Sequence, residues 1–430
     1  MRSNAKDRAL RERAAQVIPG GMYGHQSTIL MPEGFPQFFT QAEGTRISDA
    51  DGNTYIDFMC AFGPNLLGYQ HPEIMTAIQR QQTQIDTSTG PSPLIVDLAE
   101  AMVDMISHAD WAMFCKNGSD ATTMALMISR AHRDKRKVLV ATNAYHGSLP
   151  WSTPRPGGVL AEDRAHLIYF DYNDPQALTD AVKQAGNDLA GIFATPFRHD
   201  TFTDQTLPDA EYAHTARRLA DEHDALLVVD DVRAGFRMAR DCSWETIGVR
   251  PDLSAWGKVL GNGQPISALL GNNRAREAAS RIFVTGSYWF SAVPMAAALE
   301  TVRIIRETDY LDHIQKIGAL FRNGLVEQAK GFGFDLRHTG PETLPMVLFD
   351  DDPDFRLGYA FCAAALKRGV YLSPYHNMFI NAAMTEADIA ETLEATGAAF
   401  EEIKQNRDSI QPSQLLMAMA EQKRPTTMRQ

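Results

Sequence analysis

Apolar residues along this chain follow two periods, and the period changes with position. Between about residues 92 and 270, short apolar runs typical of buried strands alternate with segments whose apolar residues repeat at helical spacing. Strands are predicted at 111–115, 138–141, 167–170, 191–194 and 226–230, and amphipathic helices at 120–133 and 211–224. Because strands that alternate with helices build a mostly parallel sheet covered on both faces, this region predicts an α/β fold.

The flanking regions have a different pattern. Before about residue 65, a polar helix and the loop Pro19-Gly20-Gly21 lead to two strand-like runs joined by Asp51-Gly52, a hairpin signal. After about residue 311, helices alternate with short strands, and a last helix at 386–404 precedes a polar, Met-rich tail. Three parts are therefore predicted: the N-terminal part of a small α+β domain at 1–65, a large domain at 66–310, and the C-terminal part of the small domain at 311–430, with a loose tail after about 405.

Composition narrows the class of protein. The 430 residues are 44% hydrophobic and carry a formal net charge of -12, which argues against nucleic acid or an anionic membrane surface as a partner. The charged N-terminus leads into no apolar segment, so no secretory signal is predicted. The cysteines lie far apart and form no CxxC pair, which predicts no metal site and reduced thiols in a cytoplasmic protein: Cys60, Cys115, Cys242 and Cys362.

Two short segments carry groups suited to an anionic, planar ligand. Gly118-Ser119 stands between a predicted strand and a predicted helix, where free backbone N–H groups and the helix dipole can hold a phosphate. The alternative is an ordinary helix cap by Ser119 or Asp120. Tyr145, in Tyr145-His146-Gly147 after the next strand, can stack on a planar ring or belong to the core. Each signal is weak alone.

Two further segments carry ionisable groups. Asp230 and Asp231 follow the apolar run 226–229, where open α/β sheets bind ligands, although a helix cap or a salt bridge explains such acids equally well. Lys258 follows Gly257 among apolar neighbours. A lysine in an apolar pocket becomes a better amine nucleophile, whereas most single lysines lie at the surface.

These four features, in this order, resemble the class III (subgroup II) aminotransferases, including the glutamate-1-semialdehyde aminomutase-like branch. The likeness extends through almost the whole chain, and its most specific part is the phosphate turn, Tyr-His-Gly, the strand Asp230, and Lys258 some 28 residues later. The resemblance implies the fold of fold-type I pyridoxal-phosphate (PLP) transferases, with a large, mostly parallel domain and a smaller α+β domain.

The resemblance also implies residue roles. Lys258 matches the lysine that holds PLP as a Schiff base and moves the substrate proton, and Asp230 matches the acid under the pyridine nitrogen. Gly118 and Ser119 match the phosphate turn, and Tyr145 and Val232 match the residues on the two faces of the ring. Ser287 matches a hydroxyl that reaches the phosphate from the neighbouring subunit, which implies a homodimer with shared active sites.

Departures from the family pattern concern the substrate half of the site. Thr195-Pro196 stands where relatives commonly have Glu-Pro, and arginines expected shortly after Pro19-Gly20-Gly21 and near Tyr375 are absent. Because arginine is the usual carboxylate clamp, this argues against a plain amino-acid substrate. A hydroxylated, cyclic or amine substrate, held by polar and aromatic groups, is favoured, unless Arg198 or Arg233 supplies the charge; the candidates are His25, Gln26, Trp289, Tyr375 and His376.

The leading hypothesis is an aminotransferase that moves an amino group from a small-molecule donor to a carbonyl acceptor in a ping-pong cycle. A 2,1-aminomutase or an amino-acid racemase would use the same Lys258 and Asp230 without net exchange of the amino group. A third hypothesis is an inactive PLP-fold binding protein, against which the intact Lys258 and Asp230 argue.

Overall fold

Helices and strands occupy most of residues 3–155 and 157–416, which the computed structural model describes. The helices are α1 Ala5–Val17, α2 Pro72–Gln82, α3 Leu94–Met105, α4 Gly118–Arg133, α5 Pro175–Ala185, α6 Ala210–Glu222, α7 Asn273–Arg281, α8 Ala292–Glu307, α9 Tyr310–Phe332, α10 Arg356–Lys367 and α11 Glu386–Gln405. The strands are β1 Phe39–Glu43, β2 Arg46–Asp49, β3 Thr54–Asp57, β4 Trp111–Cys115, β5 Lys137–Ala141, β6 Leu167–Phe170, β7 Leu189–Ala194, β8 Leu226–Asp230, β9 Leu253–Trp256, β10 Ser267–Gly271, β11 Leu336–Thr339, β12 Met346–Phe349 and β13 Val370–Tyr371.

A seven-stranded sheet lies at the centre, in the order β4-β10-β9-β8-β7-β5-β6. Four neighbouring pairs are parallel, and β10 runs antiparallel to both of its neighbours, so the predicted mostly parallel sheet is confirmed. Leu226 and Val228 of β8 face a core that includes α4, whereas Leu227 and Val229 face a core that includes α6. Helices therefore cover both faces, which explains why all five residues of β8 are buried.

A four-stranded sheet joins the two ends of the chain. Its order is β1-β2-β3-β13, with the hairpin between β2 and β3 centred on Asp51-Gly52 and with β13 parallel to β3. We propose that this pairing unites residues 1–65 and 311–430 in one smaller domain. None of the helices in the described ranges has the length and apolar character needed to span a bilayer.

The chain after α11 continues along the protein surface and then packs into it. Leu416 is 3% exposed and contacts a cluster with Phe202, Tyr359 and Tyr375. The rest of the predicted tail, residues 417–430, lies outside the described residues.

Arg237 follows β8 of the large sheet and bonds to two segments that come after β3 and β13 of the smaller sheet. Its side chain is fully buried, Nη1 donates to the Ile380 carbonyl at 2.6 Å, and Nη2 donates to the Gly63 carbonyl at 2.7 Å. The guanidinium carbon also lies 5.1 Å from the centre of the Phe379 ring. Burial lowers the pKa of Arg237 to about 10. The residue therefore satisfies the backbone carbonyls of two buried residues.

Replacing Arg237 with methionine should lower the free energy of unfolding by about 3 kcal/mol, because both carbonyls lose their donors. Removal of a buried charge offsets part of this cost. Denaturant unfolding of both proteins measures the difference. Arg218→Met, which removes an exposed arginine paired with Glu222, is the control and should stay within about 0.5 kcal/mol of the parent. A loss no larger than that of the control would contradict the bridging role of Arg237.

Candidate active site

Four separate chain segments meet at the ends of the central strands. A Cβ atom added to Gly118 would lie 2.6 Å from Val232, and one added to Gly147 would lie 2.5 Å from the Ser119 hydroxyl oxygen. A Cβ atom on Gly257 would lie 3.3 Å from Val232. Side chains at these glycines would therefore push the segments apart. The fold brings together the Gly118-Ser119 turn, the Tyr145 segment, the end of β8 and the Lys258 segment.

The turn before α4 offers unused backbone donors. Asp120 caps the helix by accepting a hydrogen bond from the Asn117 backbone N–H at 2.9 Å. In the described chain, the N–H groups of Gly118 and Ser119 have no acceptor. The Ser119 hydroxyl oxygen accepts from the Ser148 backbone N–H at 3.1 Å. Two free donors and the positive end of a helix suit an anion such as a phosphate.

Asp230 ends β8 as a buried carboxylate paired with a histidine. Its Oδ2 lies 2.7 Å from Nδ1 of His146, and its Oδ1 accepts from the Val232 backbone N–H at 3.2 Å. The ring of His146 is buried against Trp151, and its Nε2 has no partner in the described chain. The neighbouring acid, Asp231, instead accepts hydrogen bonds from the backbone and hydroxyl of Ser243. The two adjacent acids therefore have different surroundings, and only Asp230 pairs with a side chain of the predicted site.

Lys258 has a left-handed backbone conformation, and its side chain bonds to a second segment with left-handed backbone. Its φ is +44°, and its Nζ donates to the Phe62 carbonyl at 2.9 Å. Phe62 itself belongs to a run of three left-handed residues, which begins at Cys60. Such backbone is costly for residues other than glycine, so the surrounding structure must enforce it. Desolvation by burial, with the charges of Arg233 and Arg237, lowers the pKa of Lys258 to about 7.

The lowered pKa of Lys258 predicts unusual reactivity in protein freed of any bound aldehyde. The amine is half neutral at about pH 7, and it is about nine-tenths neutral one pH unit higher, because deprotonation follows the pKa. Acylation of Lys258, followed by peptide mass spectrometry between pH 5 and 11, should therefore rise with a midpoint near 7. A midpoint near 10, the ordinary value for lysine, would contradict the electrostatic account.

The predicted substrate residues divide into two groups. The ring of His25 lies 4.5 Å from the ring of Phe62, next to the carbonyl that holds Lys258. Desolvation, with the charges of Lys258 and Arg233, lowers the pKa of His25 to about 4, so the imidazole is neutral at pH 7. Tyr375 is buried and stacks on Phe202, behind its neighbour His376. His25 therefore lies beside Lys258, whereas Tyr375 packs in a cluster with Phe202, Tyr359 and Leu416.

Among the described residues, no hydrogen bond joins the segment between α7 and α8 to Lys258. Trp289 packs on the core beside α4 and α7, and Ser287 is exposed. No hydrogen bond joins Ser287 to the Gly118-Ser119 turn in the part of the chain that the structure describes. The neighbouring side chains Phe283 and Tyr288 are 85% and 67% exposed. This segment presents apolar surface outward, which is typical of a contact region.

Arg233 is the residue of the site that sequence patterns identify least well. Its Nη1 contacts Nε2 of His376 at 3.0 Å and Oδ1 of Asn377 at 2.5 Å, and no carboxylate of the described chain pairs with it. Arg198, by contrast, pairs with Asp200 at 2.9 Å. The sequence names both arginines as candidates, but only the fold separates the one with an acidic partner from the one without.

These groups fit pyridoxal phosphate. The free N–H groups of Gly118 and Ser119 suit its phosphate, and the amine of Lys258 suits its aldehyde. The carboxylate of Asp230 suits a protonated ring nitrogen. Val232, packed against Gly118 and Gly257, offers an apolar surface to one face of a ring.

Comparison with known proteins identifies the family that this chain is similar to. The family model for aminotransferase class-III matches residues 32–400. An aminopentol aminotransferase of Sphingopyxis macrogoltabida is 58% identical over 98% of this chain and 100% of its own length. A 3-aminobutyryl-CoA aminotransferase of Cloacimonas acidaminovorans is 30% identical over 93% of this chain and 98% of its own.

A solved structure has the same fold as this chain. The FumI protein of Sphingopyxis sp. MTA144, described as the PLP internal aldimine form, superposes with a TM-score of 0.95. It is 59% identical, and the match covers 96% of this chain and 100% of that protein. The predicted fold and the predicted aminotransferase class are thereby confirmed, and the chain belongs to the class-III family of PLP-dependent aminotransferases.

Proposed function

We propose that the amino donor is an amine on a polyhydroxylated carbon chain rather than an amino acid. The observation that carries this proposal is the 58% identity, over 98% of the chain, to a protein named for an aminopentol, a compound with one amino group and five hydroxyl groups. The absence of arginine at the two places predicted for a carboxylate clamp agrees with a donor that has no carboxylate.

Neutral imidazoles beside Lys258 suit a hydroxylated donor. Burial lowers the pKa of His376 well below its ordinary value, as desolvation does for His25, so both rings are uncharged at pH 7. A neutral imidazole both donates and accepts hydrogen bonds, as a hydroxyl group requires. His25 can offer both, whereas the ring nitrogens of His376 already bond to Arg233 and to the Asn377 carbonyl. The ring of Phe62 lies 4.5 Å from His25 and 5.6 Å from His376, and it supplies an apolar contact for the carbon chain.

The cofactor-binding roles follow from the contacts at the strand ends. The backbone of Gly118 and Ser119 would bind the phosphate, Val232 would lie under the ring, and Tyr145, 37% exposed, would cover the other face. When bound, pyridoxal phosphate supplies an aldehyde carbon and an electron-withdrawing ring. Asp230 would hold a proton at the ring nitrogen, and His146 would fix the direction of that carboxylate.

Lys258 would perform the proton transfers. Its lowered pKa leaves the amine neutral near pH 7, the state in which it can attack a carbonyl and accept a proton. The Phe62 carbonyl, 2.9 Å from Nζ, gives the free amine a defined position within the site.

The remaining parts of the proposal concern assembly and location. We propose a homodimer in which Ser287 and Trp289 of one subunit approach the phosphate and substrate regions of the other, which accounts for the exposed Phe283 and Tyr288 beside them. Tyr375 would shape the wall of the substrate site. The four cysteines are free and buried, which supports a cytoplasmic location, because thiols stay reduced there.

Three donors of matched size test the proposed substrate class. They are a 2-aminoalkane, the same chain bearing several hydroxyl groups, and alanine. Each is mixed with loaded enzyme, and the loss of the visible cofactor absorbance is followed in a single turnover. The hydroxylated amine should react with at least about tenfold higher efficiency than either comparison donor, since several hydrogen bonds to hydroxyls are lost in the others. Faster reaction of alanine would contradict the donor class.

A further inference from the structure

Three consecutive residues beside Lys258 have left-handed backbone, although none of them is glycine. Cys60, Ala61 and Phe62 have φ values of +46°, +55° and +63°. They form a turn in which the Phe62 backbone N–H donates to the Met59 carbonyl at 2.8 Å. This left-handed turn, residues 60–62, is costly for residues that have a Cβ atom, so contacts with the rest of the protein must hold it in place.

The left-handed turn and the glycine after it lie against the side chain of Lys258. The Phe62 carbonyl accepts a hydrogen bond from Nζ at 2.9 Å. A Cβ atom added to Gly63 would lie 3.2 Å from Cδ of Lys258 and 2.9 Å from the Phe379 ring, so this backbone packs on the stem of the lysine. In a right-handed turn the Phe62 carbonyl would point in another direction, because each peptide plane rotates with φ and ψ. The position of the amine therefore depends on the hand of this turn.

Asp57 holds the left-handed turn from the end of β3. Its side chain is 1% exposed, and Oδ1 accepts from the Met59 backbone N–H at 2.8 Å. Oδ2 accepts from the Cys60 backbone N–H at 2.9 Å and from the Tyr69 hydroxyl at 2.6 Å. The backbone N–H of Asp57 donates to the Thr45 carbonyl at 2.9 Å, which ties the residue to the neighbouring chain. The carboxylate thus fixes the direction in which the chain enters the turn.

We propose that Asp57 is a positioning residue for amino transfer: it enforces the left-handed turn, and the turn sets the Phe62 carbonyl against the amine of Lys258. This inference rests on the proposed role of Lys258, and it does not depend on the class of the donor. Whenever the amine is not bonded to the cofactor, the Phe62 carbonyl keeps Nζ at one point of the site. Because proton transfer requires close alignment of the reacting atoms, a small displacement of Nζ slows it.

Asp49 provides a matched control in the same four-stranded sheet. It is 3% exposed, and its carboxylate also accepts from two backbone N–H groups, those of Asp51 and Asn53, and from the Tyr55 hydroxyl. These bonds fix the hairpin between β2 and β3, whereas the left-handed turn follows β3. Asp49 therefore matches Asp57 in burial and bonding but holds a different turn.

The test compares Asp57→Asn with Asp49→Asn in the loaded enzyme, at a temperature where both are folded. Asparagine replaces one acceptor oxygen with an NH₂ group, which cannot accept from the backbone or from tyrosine. Asp57→Asn should lower kcat about 10- to 100-fold and keep KM within about threefold of the parent, since the amine and not the substrate is displaced. Asp49→Asn should lower the thermal midpoint to a similar extent and keep kcat within about twofold, because separate sites act independently.

Hydrogen exchange of the peptide that contains residues 59–63 measures the order of the turn without any reaction. The Phe62 and Gly63 amides bond within the turn to the carbonyls of Met59 and Cys60. In Asp57→Asn these amides should exchange at least about tenfold faster than in the parent, because the turn opens more often. Asp49→Asn should leave their exchange unchanged.

Variants at Ala61 test the hand of the turn separately from Asp57. Ala61 is exposed, so a change there alters chiefly the backbone preference. Ala61→Gly, added to Asp57→Asn, should raise kcat again by about fivefold, because glycine adopts left-handed backbone without a steric cost. Ala61→Val in the parent should lower kcat by about fivefold, since a branched side chain disfavours that backbone. This variant decides the question if Asp57→Asn does not fold, and an unchanged kcat would then contradict the proposal.

Equal losses of kcat in Asp57→Asn and Asp49→Asn would overturn the proposal, and so would an unchanged kcat in Asp57→Asn. A loss of kcat without faster exchange in residues 59–63 would also overturn it, because the turn would then be intact. Failure of the proposed role of Lys258 is a separate result, since it appears as turnover that survives in Lys258→Ala. Hydrogen exchange of the turn does not depend on that role.

Discussion

Lys258→Ala should reduce turnover by about 10⁴-fold or more, because it removes both the attacking amine and the group that moves the substrate proton. The structure supports this size of effect, since the Lys258 amine is held at 2.9 Å from the Phe62 carbonyl on strained backbone and has a pKa lowered to about 7. Single-turnover kinetics with a reactive donor measure the loss.

Lys258→Arg is the matched variant, because it keeps a positive charge but cannot condense with an aldehyde. It should be as inactive as Lys258→Ala. Lys183→Ala, at an exposed lysine that pairs with Asp180, should retain full turnover. If Lys258→Ala kept more than about a tenth of the parent activity, another residue would have to perform the chemistry.

Asp230→Asn is expected to have the second largest effect, a loss of about 10²- to 10⁴-fold. An amide cannot hold a proton on a ring nitrogen through charge, so the ring loses much of its power to withdraw electrons. The substitution also weakens the 2.7 Å contact with Nδ1 of His146, because a neutral amide oxygen is a poorer hydrogen-bond acceptor than a carboxylate. The visible absorbance of the bound cofactor should shift in the variant as the ring nitrogen loses its proton.

The neighbouring carboxylate provides the control for this prediction. Asp231 is equally buried, and burial raises its pKa to about 6, but its hydrogen bonds go to Ser243. Asp231→Asn should therefore lower stability while folded protein keeps turnover within about threefold of the parent. Equal losses from the two variants would mean that the acids act as a structural pair and that Asp230 has no special relation to the ring.

Local patterns of apolar and turn residues predicted many of the helices and strands. The apolar runs that predicted strands at 111–115, 167–170 and 226–230 coincide with β4, β6 and β8. Only β8 is buried along its whole length, as a central strand of a parallel sheet should be, whereas β4 and β6 are edge strands that are partly exposed. The Asp51-Gly52 signal gave the hairpin between β2 and β3. Strands β9 and β10 went unassigned, since serines and glycines interrupt their apolar pattern and their burial comes from the sheet on either side.

In the candidate site as well, some residues could be identified from sequence and others only from the structure. Asp230 and the Gly118-Ser119 turn could be named from sequence because each lies at the end of a strand that the pattern predicts. Lys258 follows β9, which the pattern missed, and it was named from Gly257, its apolar neighbours and the family resemblance. The partners that tune them could not: His146 pairs with Asp230 across 84 residues, and the Phe62 carbonyl meets Lys258 across 196. Arg237, which positions the Gly63 end of the strained segment, carries no sign of burial in its sequence neighbourhood. Long-range contacts of this kind depend on the completed fold.

The central claim is that Lys258 carries the cofactor, and borohydride reduction followed by peptide mapping tests it most directly. Reduction fixes the lysine–cofactor bond, and mass spectrometry then finds the modified peptide. We predict a pyridoxyl-phosphate mass on the peptide that contains Lys258 and on no other. A modified peptide that contains Lys116, the partly buried lysine just before the phosphate turn, would contradict the account, and so would reduced protein with no modified lysine.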